Sequence, residues 1–67
     1  MAHVATRDHG EALPEVLIEE RRLGAWLKIA AVDPRSGEEA VAIGPANNPG
    51  SVRQAAIGKL KRRLAGR

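Results

Sequence analysis

The sequence predicts an α+β fold, a three-stranded antiparallel β-meander with one C-terminal α-helix packed on one face (β-β-β-α), preceded by a disordered N-terminal tail. Three observations carry this expectation. Two runs rich in branched residues, at 15–22 and 25–32, meet at Leu23-Gly24. A third run, 38–44, follows the turn sequence Asp33-Pro-Arg-Ser-Gly37. From Ser51 onward the apolar residues recur at helical spacing.

Residues 1–13 mix charged, small and polar types with neither a period of 2 nor one of 3.6, so they are read as a flexible tail, and 14–67 as a single domain. Pro14 precedes the first strand. At its end Gly24 supplies the positive φ that a tight hairpin needs. In the second turn Asp33 opens, Pro34 presets φ, and Gly37 takes the left-handed position. The stretch 44–50, GPANNPG, is a turn-rich connection to the helix. Ser51 with Gln54 is a capping-box pattern, and Asn48 with Pro49 is a competing start. The helix is expected to run to about Ala65 with Gly66 as its stop. Val52, Ala56, Ile57, Leu60 and Leu64 fall on its apolar face, and Gly58 suggests a close approach to the sheet.

A loop of Leu23-Gly24 would put Glu19 opposite Lys28 and Ile18 opposite Ile29. A second loop centred on Arg35 would put Ile29 opposite Val41 and Leu27 opposite Ile43. Val16, Ile18, Leu27, Ile29, Ala31, Val41 and Ile43 then share the face beneath the helix. The other face would present, with Val32 and among Glu19, Arg21 and Lys28, the residues Leu17, Trp26, Ala30, Ala40 and Ala42. Those five form the candidate protein interface. A small core, a solitary Trp and two sheet edges all favour a protein partner or a homodimer.

The 67 residues allow one domain with a modest core, and the chain has no Cys, Phe or Tyr and one Trp. Lack of cysteine removes the disulfide route and most structural zinc sites and fits a cytoplasmic location. No apolar run is long enough to span a bilayer, and residues 1–10 lack the core of a secretory signal, so no membrane association is expected. The net charge of +3 is unevenly spread. Arg53, Lys59, Lys61, Arg62, Arg63 and Arg67 follow Ser51 with no acidic residue among them. These are the candidate contacts for an anion or nucleic acid. Cations in the last turns also complement the helix dipole of any soluble helix.

Catalytic machinery is not expected. Ser36 reads as a turn residue, Ser51 as a cap, and Thr6, His3 and His9 as tail residues. The adjacent pairs Glu19-Glu20 and Glu38-Glu39 point to opposite faces of their strands and cannot share a proton. His3, Asp8, His9 and Glu11 have metal-ligating chemistry without the spacing of a known site. No phosphate-binding glycine motif occurs. The reading is therefore a non-enzyme with no cofactor, no metal and no small-molecule substrate. The helix N-terminus with Arg53 one turn in could attract an anion. A sheet followed by a basic helix is similar to the C-terminal half of double-stranded-RNA-binding domains, but the N-terminal helix of that family has no counterpart. Single-strand binding would need more aromatic platforms than Trp26.

Residues 15–45, EVLIEERRLGAWLKIAAVDPRSGEEAVAIGP, with the helix containing KLKRRL, resemble a group of short uncharacterised bacterial proteins. These pair an EVLxE strand, an R-x-G turn, a K-x-x-AVDP-x-[ST]-G hairpin, a GP exit and a C-terminal helix rich in Leu and basic residues. The resemblance covers about three-quarters of the chain and implies the β-β-β-α fold. It implies no activity, and no functional residues carry over from it.

Overall fold

The computed structural model describes residues 15–66 and, ahead of them, the backbone of a strand at Ala2–Thr6. In chain order the elements are β1 (Ala2–Thr6), β2 (Val16–Leu23), β3 (Trp26–Val32), β4 (Glu39–Pro45) and α1 (Pro49–Ala65). All neighbouring strands are antiparallel and the sheet order is β1-β2-β3-β4. The three-stranded meander and its C-terminal helix are as the sequence predicts. One strand is added at the edge: Ala2–Thr6, placed by the sequence in the flexible tail, pairs with β2, with Val4 and Thr6 registered opposite Ile18 and Val16. Those positions suit β-branched residues. The rest of that segment, and the His9, Asp8 and Glu11 reading with it, lies outside the described residues.

The first hairpin turns on Gly24-Ala25, with Leu23 opposite Trp26, and Gly24 alone has positive φ, at 64°. A Gly-first two-residue turn matches the twist of its strands. The expected loop, Leu23-Gly24, is one residue early. Ile18 therefore lies opposite Ala31, Glu19 opposite Ala30, and Lys28 opposite Arg21, so the expected Glu19–Lys28 pair does not form. The shift moves each partner by two residues, and two residues preserve the face.

The second hairpin differs by one residue, which does not. Gly37 N–H donates to the Asp33 carbonyl at 2.8 Å while Asp33 N–H donates to the Glu38 carbonyl at 2.9 Å. Asp33 thus faces two residues, and Gly37 sits at φ 79°. This is a glycine bulge following a three-residue loop, Pro34-Arg35-Ser36. The extra residue makes Ala31 face Ala40, Ile29 face Ala42 and Leu27 face Gly44. A one-residue slip exchanges every inward and outward side chain of a strand. Ala40 and Ala42 are accordingly core residues, 1% and 7% exposed, whereas Val41 is half-buried and Ile43 is exposed on the opposite face. The placement of Val41 and Ile43 beneath the helix, and of Ala40 and Ala42 on the open face, is corrected by the bulge.

The core is built from Ile18, Leu27, Ile29, Ala31, Ala40 and Ala42 of the sheet and Val52, Ala56 and Leu60 of the helix. Val16, Ala46, Ile57 and Leu64 pack around it. The helix lies over β3 and β4. Alanines on β4 keep the helix close to that strand, and Gly44 takes the closest approach: a Cβ there would lie 2.6 Å from Val52 Cγ2. Gly58 has no such role, since a Cβ there would meet only Arg62 Nη1, at 3.7 Å. Of the two possible starts the helix uses Asn48 and Pro49, with no side-chain cap, and it ends at Gly66, whose N–H donates to the Arg62 carbonyl. No helix among the described residues is long and apolar enough to cross a membrane.

Candidate interaction surface

Among the described residues one helix covers one side of this sheet and no element packs on the other, which is the open face. Strand alternation and the observed pairing place Leu17, Glu19, Arg21 and Leu23 of β2 on it, with Trp26, Lys28, Ala30 and Val32 of β3 and Glu39, Val41, Ile43 and Pro45 of β4. Leu23, Trp26 and Ile43 are the exposed large hydrophobic residues among those described, at 49%, 56% and 63%. They share one corner: Trp26 is opposite Leu23 on one side and Pro45 on the other, and Ile43 is opposite Lys28 in the next row. A shallow groove of about 340 Å³, lined by Arg22, Ala25, Trp26, Pro45, Ala46 and Asn47, runs beside this corner. The Ala46 N–H donates to the Ala25 carbonyl at 2.8 Å and ties the two sides of the groove together.

The middle of the open face is charged and polarised along the strands. Ala30, the smallest side chain of β3 on this face, helps form a depression of about 140 Å³, with Glu19, Glu20 and Glu39 among its lining acids and Arg21 and Lys28 among its cations. Arg21 lies directly opposite Lys28, two like charges side by side. Arg53 pairs with Glu20 at 2.5 Å, and among the described residues Glu19, Arg21, Lys28 and Glu39 form no ion pair.

Of the expected interface residues, Leu17, Trp26 and Ala30 are on the open face, with Leu17 half-buried and Ala30 recessed. Ala40 and Ala42 are under the helix. Leu23, Ile43 and Pro45 also belong to the face, where the sequence predicts Leu23 in the turn and Ile43 beneath the helix. The signal for Ile43 and Pro45 lies in DPRSG itself: a glycine at the fifth position marks the bulged three-residue loop, and counting that bulge places them outward.

The candidate anion contacts do not act as one group. Arg53 is paired with Glu20. Lys59 Nζ donates to the Val41 carbonyl and Arg63 Nη1 to the Glu39 carbonyl, each at 2.9 Å. Those carbonyls belong to the edge strand, so two helical cations, four residues apart, occupy edge acceptors of the sheet. Lys61 and Arg62 are exposed on the helix, and Arg67 lies outside the described residues.

Asp33 is the one buried charged residue among those described, 7% exposed. Its carboxylate accepts from Ser36 Oγ at 2.9 Å and from the Arg35 N–H at 3.2 Å, and Ser36 Oγ in turn accepts from the Glu38 N–H. The Ser36 hydrogen bond, then that of the Arg35 amide, hold the Asp33 carboxyl below its ordinary pKa against the opposing effect of burial. These hydrogen bonds close the turn. No cluster of His, Cys, Asp and Glu among the described residues could hold a metal ion.

Fold and face together define a small α+β domain whose sheet, among the described residues, has one covered and one open surface. The chain belongs to the family described as "Domain of unknown function (DUF6898)", which matches residues 13–67. No curated protein and no solved structure matches the chain.

Proposed function

We infer that the chain is a small protein-interaction module that binds a protein partner through the open face of its sheet, without catalysis and in the cytoplasm. The observation that carries the reading is the corner formed by Leu23, Trp26 and Ile43. Three large apolar side chains exposed by about half or more, adjacent on a rigid sheet, are costly to leave in water and mark a docking surface. Tryptophan gives such a surface a large contact area with little conformational entropy to lose. The lack of cysteine supports the compartment. A nucleic-acid role for the basic helix has less to draw on, because Arg53, Lys59 and Arg63 already have partners within the fold.

The test is site-specific photocrosslinking in the native cells, with a photoreactive phenylalanine analogue at position 26 in one strain and at position 61 in another. Protein adducts from position 26 and none from position 61 are expected. Nucleic-acid adducts from position 61, with position 26 silent, would replace this reading with the nucleic-acid one.

A further inference from the structure

We propose that the partner on the open face is a second copy of the chain, related by a two-fold axis that lies in the interface plane and runs along the row Glu20–Ile29–Ala42. This rests on the reading of that face as a docking surface and names its occupant. The argument is self-complementarity. Glu20, Ile29 and Ala42 are cross-strand partners, so a line through them crosses the three strands at one level. Rotation about that line brings each outward residue of β2, β3 or β4 over the residue equally distant on the other side. An interface between identical copies must be matched to itself in this way.

The charged residues in the rows nearest the axis meet their complements, while Glu39, in an outer row, falls over Pro45. Glu19 of one copy falls over Arg21 of the other, and the reverse. Lys28 falls over Ala30, whose depression has Glu19 and Glu39 among its lining residues. The lysine that stands beside Arg21 with no carboxylate partner among the described residues thereby enters a recess that Glu19, Glu20 and Glu39 line together with Arg21 and Lys28. Apolar groups meet apolar groups: Val41 over Ile43, Leu17 over Leu23, and Val32 over Trp26. Facing sheets in sandwiches pack with their strands within about 30° of alignment, so the rows nearest the axis are matched most closely. The alternative, pairing through the β4 edge, is opposed by Lys59 and Arg63, which already take the Val41 and Glu39 carbonyls.

The charge pattern supplies a test that few other arrangements would pass. Glu19→Arg and Arg21→Glu are made separately in the full chain, at two exposed positions. Mass is followed by sedimentation from micromolar to millimolar concentration. The wild-type chain is expected to dimerise reversibly, and each variant alone to weaken the dimer by about tenfold or more. An equimolar mixture of the two is expected to regain it, because both cross-contacts then join an arginine to a glutamate. Ile43→Lys, at a position 63% exposed, is expected to dissociate the dimer without touching the core and serves if either reversal fails to fold. A monomer throughout, reversals without effect, or a mixture no tighter than its components would overturn the proposal. A monomeric wild type that still crosslinks through position 26 to a different protein removes the second copy and leaves the docking face standing; loss of both removes both.

Discussion

Gly44 shows how one residue sets the distance between the layers. Its missing Cβ is the space that Val52 Cγ2 fills. Valine is stiff about χ1, so the clash created by Gly44→Ala has to be relieved by a rotamer change or a shift of the helix. Chemical denaturation should show a loss of about 1–3 kcal/mol, the usual range for overpacking, and a smaller loss when the same change is made in a Val52→Ala background. Gly58 gives the opposite expectation. Nothing near it but Arg62 would meet a Cβ, so Gly58→Ala should stabilise the helix by about 1 kcal/mol. Asp33 links a single carboxylate to acid sensitivity. Its pKa is depressed in the folded chain, so the unfolded chain binds the proton first as pH falls. The stabilisation it brings is fully present above the ordinary carboxylate value and is lost as pH drops through the lower, folded value. Asp33→Asn should flatten that part of a stability–pH curve measured by urea unfolding, leaving the neutral region without the slope.

Among the elements, β4 depends most on its surroundings. It is an edge strand, and Lys59 and Arg63 reach from the helix to its outward carbonyls. Lys59→Ala with Arg63→Ala should cost about 1–2 kcal/mol for two exposed hydrogen bonds and should raise concentration-dependent aggregation, read by light scattering, because the freed edge can template further strands. The same strand marks the limit of what the sequence discloses. The existence of β2, β3, β4 and α1 and of the two hairpins, the Gly66 stop and the inward residues of β2, β3 and α1 follow from turn chemistry and periodicity, while the register of each hairpin does not. The inward set of β4 does not, because it rests on a single bulged residue at Gly37, and alternating apolar residues at Val41 and Ile43 with alanines at 40 and 42 offer either choice to a strand. The bulge turns the alanines inward, and their small side chains suit a helix that Gly44 lets come close to the strand. The candidate face inherits that ambiguity, so Trp26, Leu17 and Ala30 were legible while Ile43 was assigned to the core. β1 was missed because a five-residue strand with one Val and one Thr carries almost no periodic signal.

At the scale of the molecule, the largest fully buried side chains among the described residues are Ile18, Ile29 and Leu60, a modest core. Domains this small usually add a disulfide, a metal or association to a modest core. The proposed association through the open face would be such an addition, since a dimer that forms from folded chains stabilises them by mass action. Trp26 is the sole tryptophan and lies 56% exposed on that face, so its emission reports the interface directly. Titrating the chain from nanomolar to millimolar concentration while recording Trp26 emission and its quenching by acrylamide is the most direct measurement. A blue shift with loss of quenching, reversed by dilution and absent in Ile43→Lys, is the predicted result. Emission that stays red and equally quenchable across the whole range would contradict a covered face.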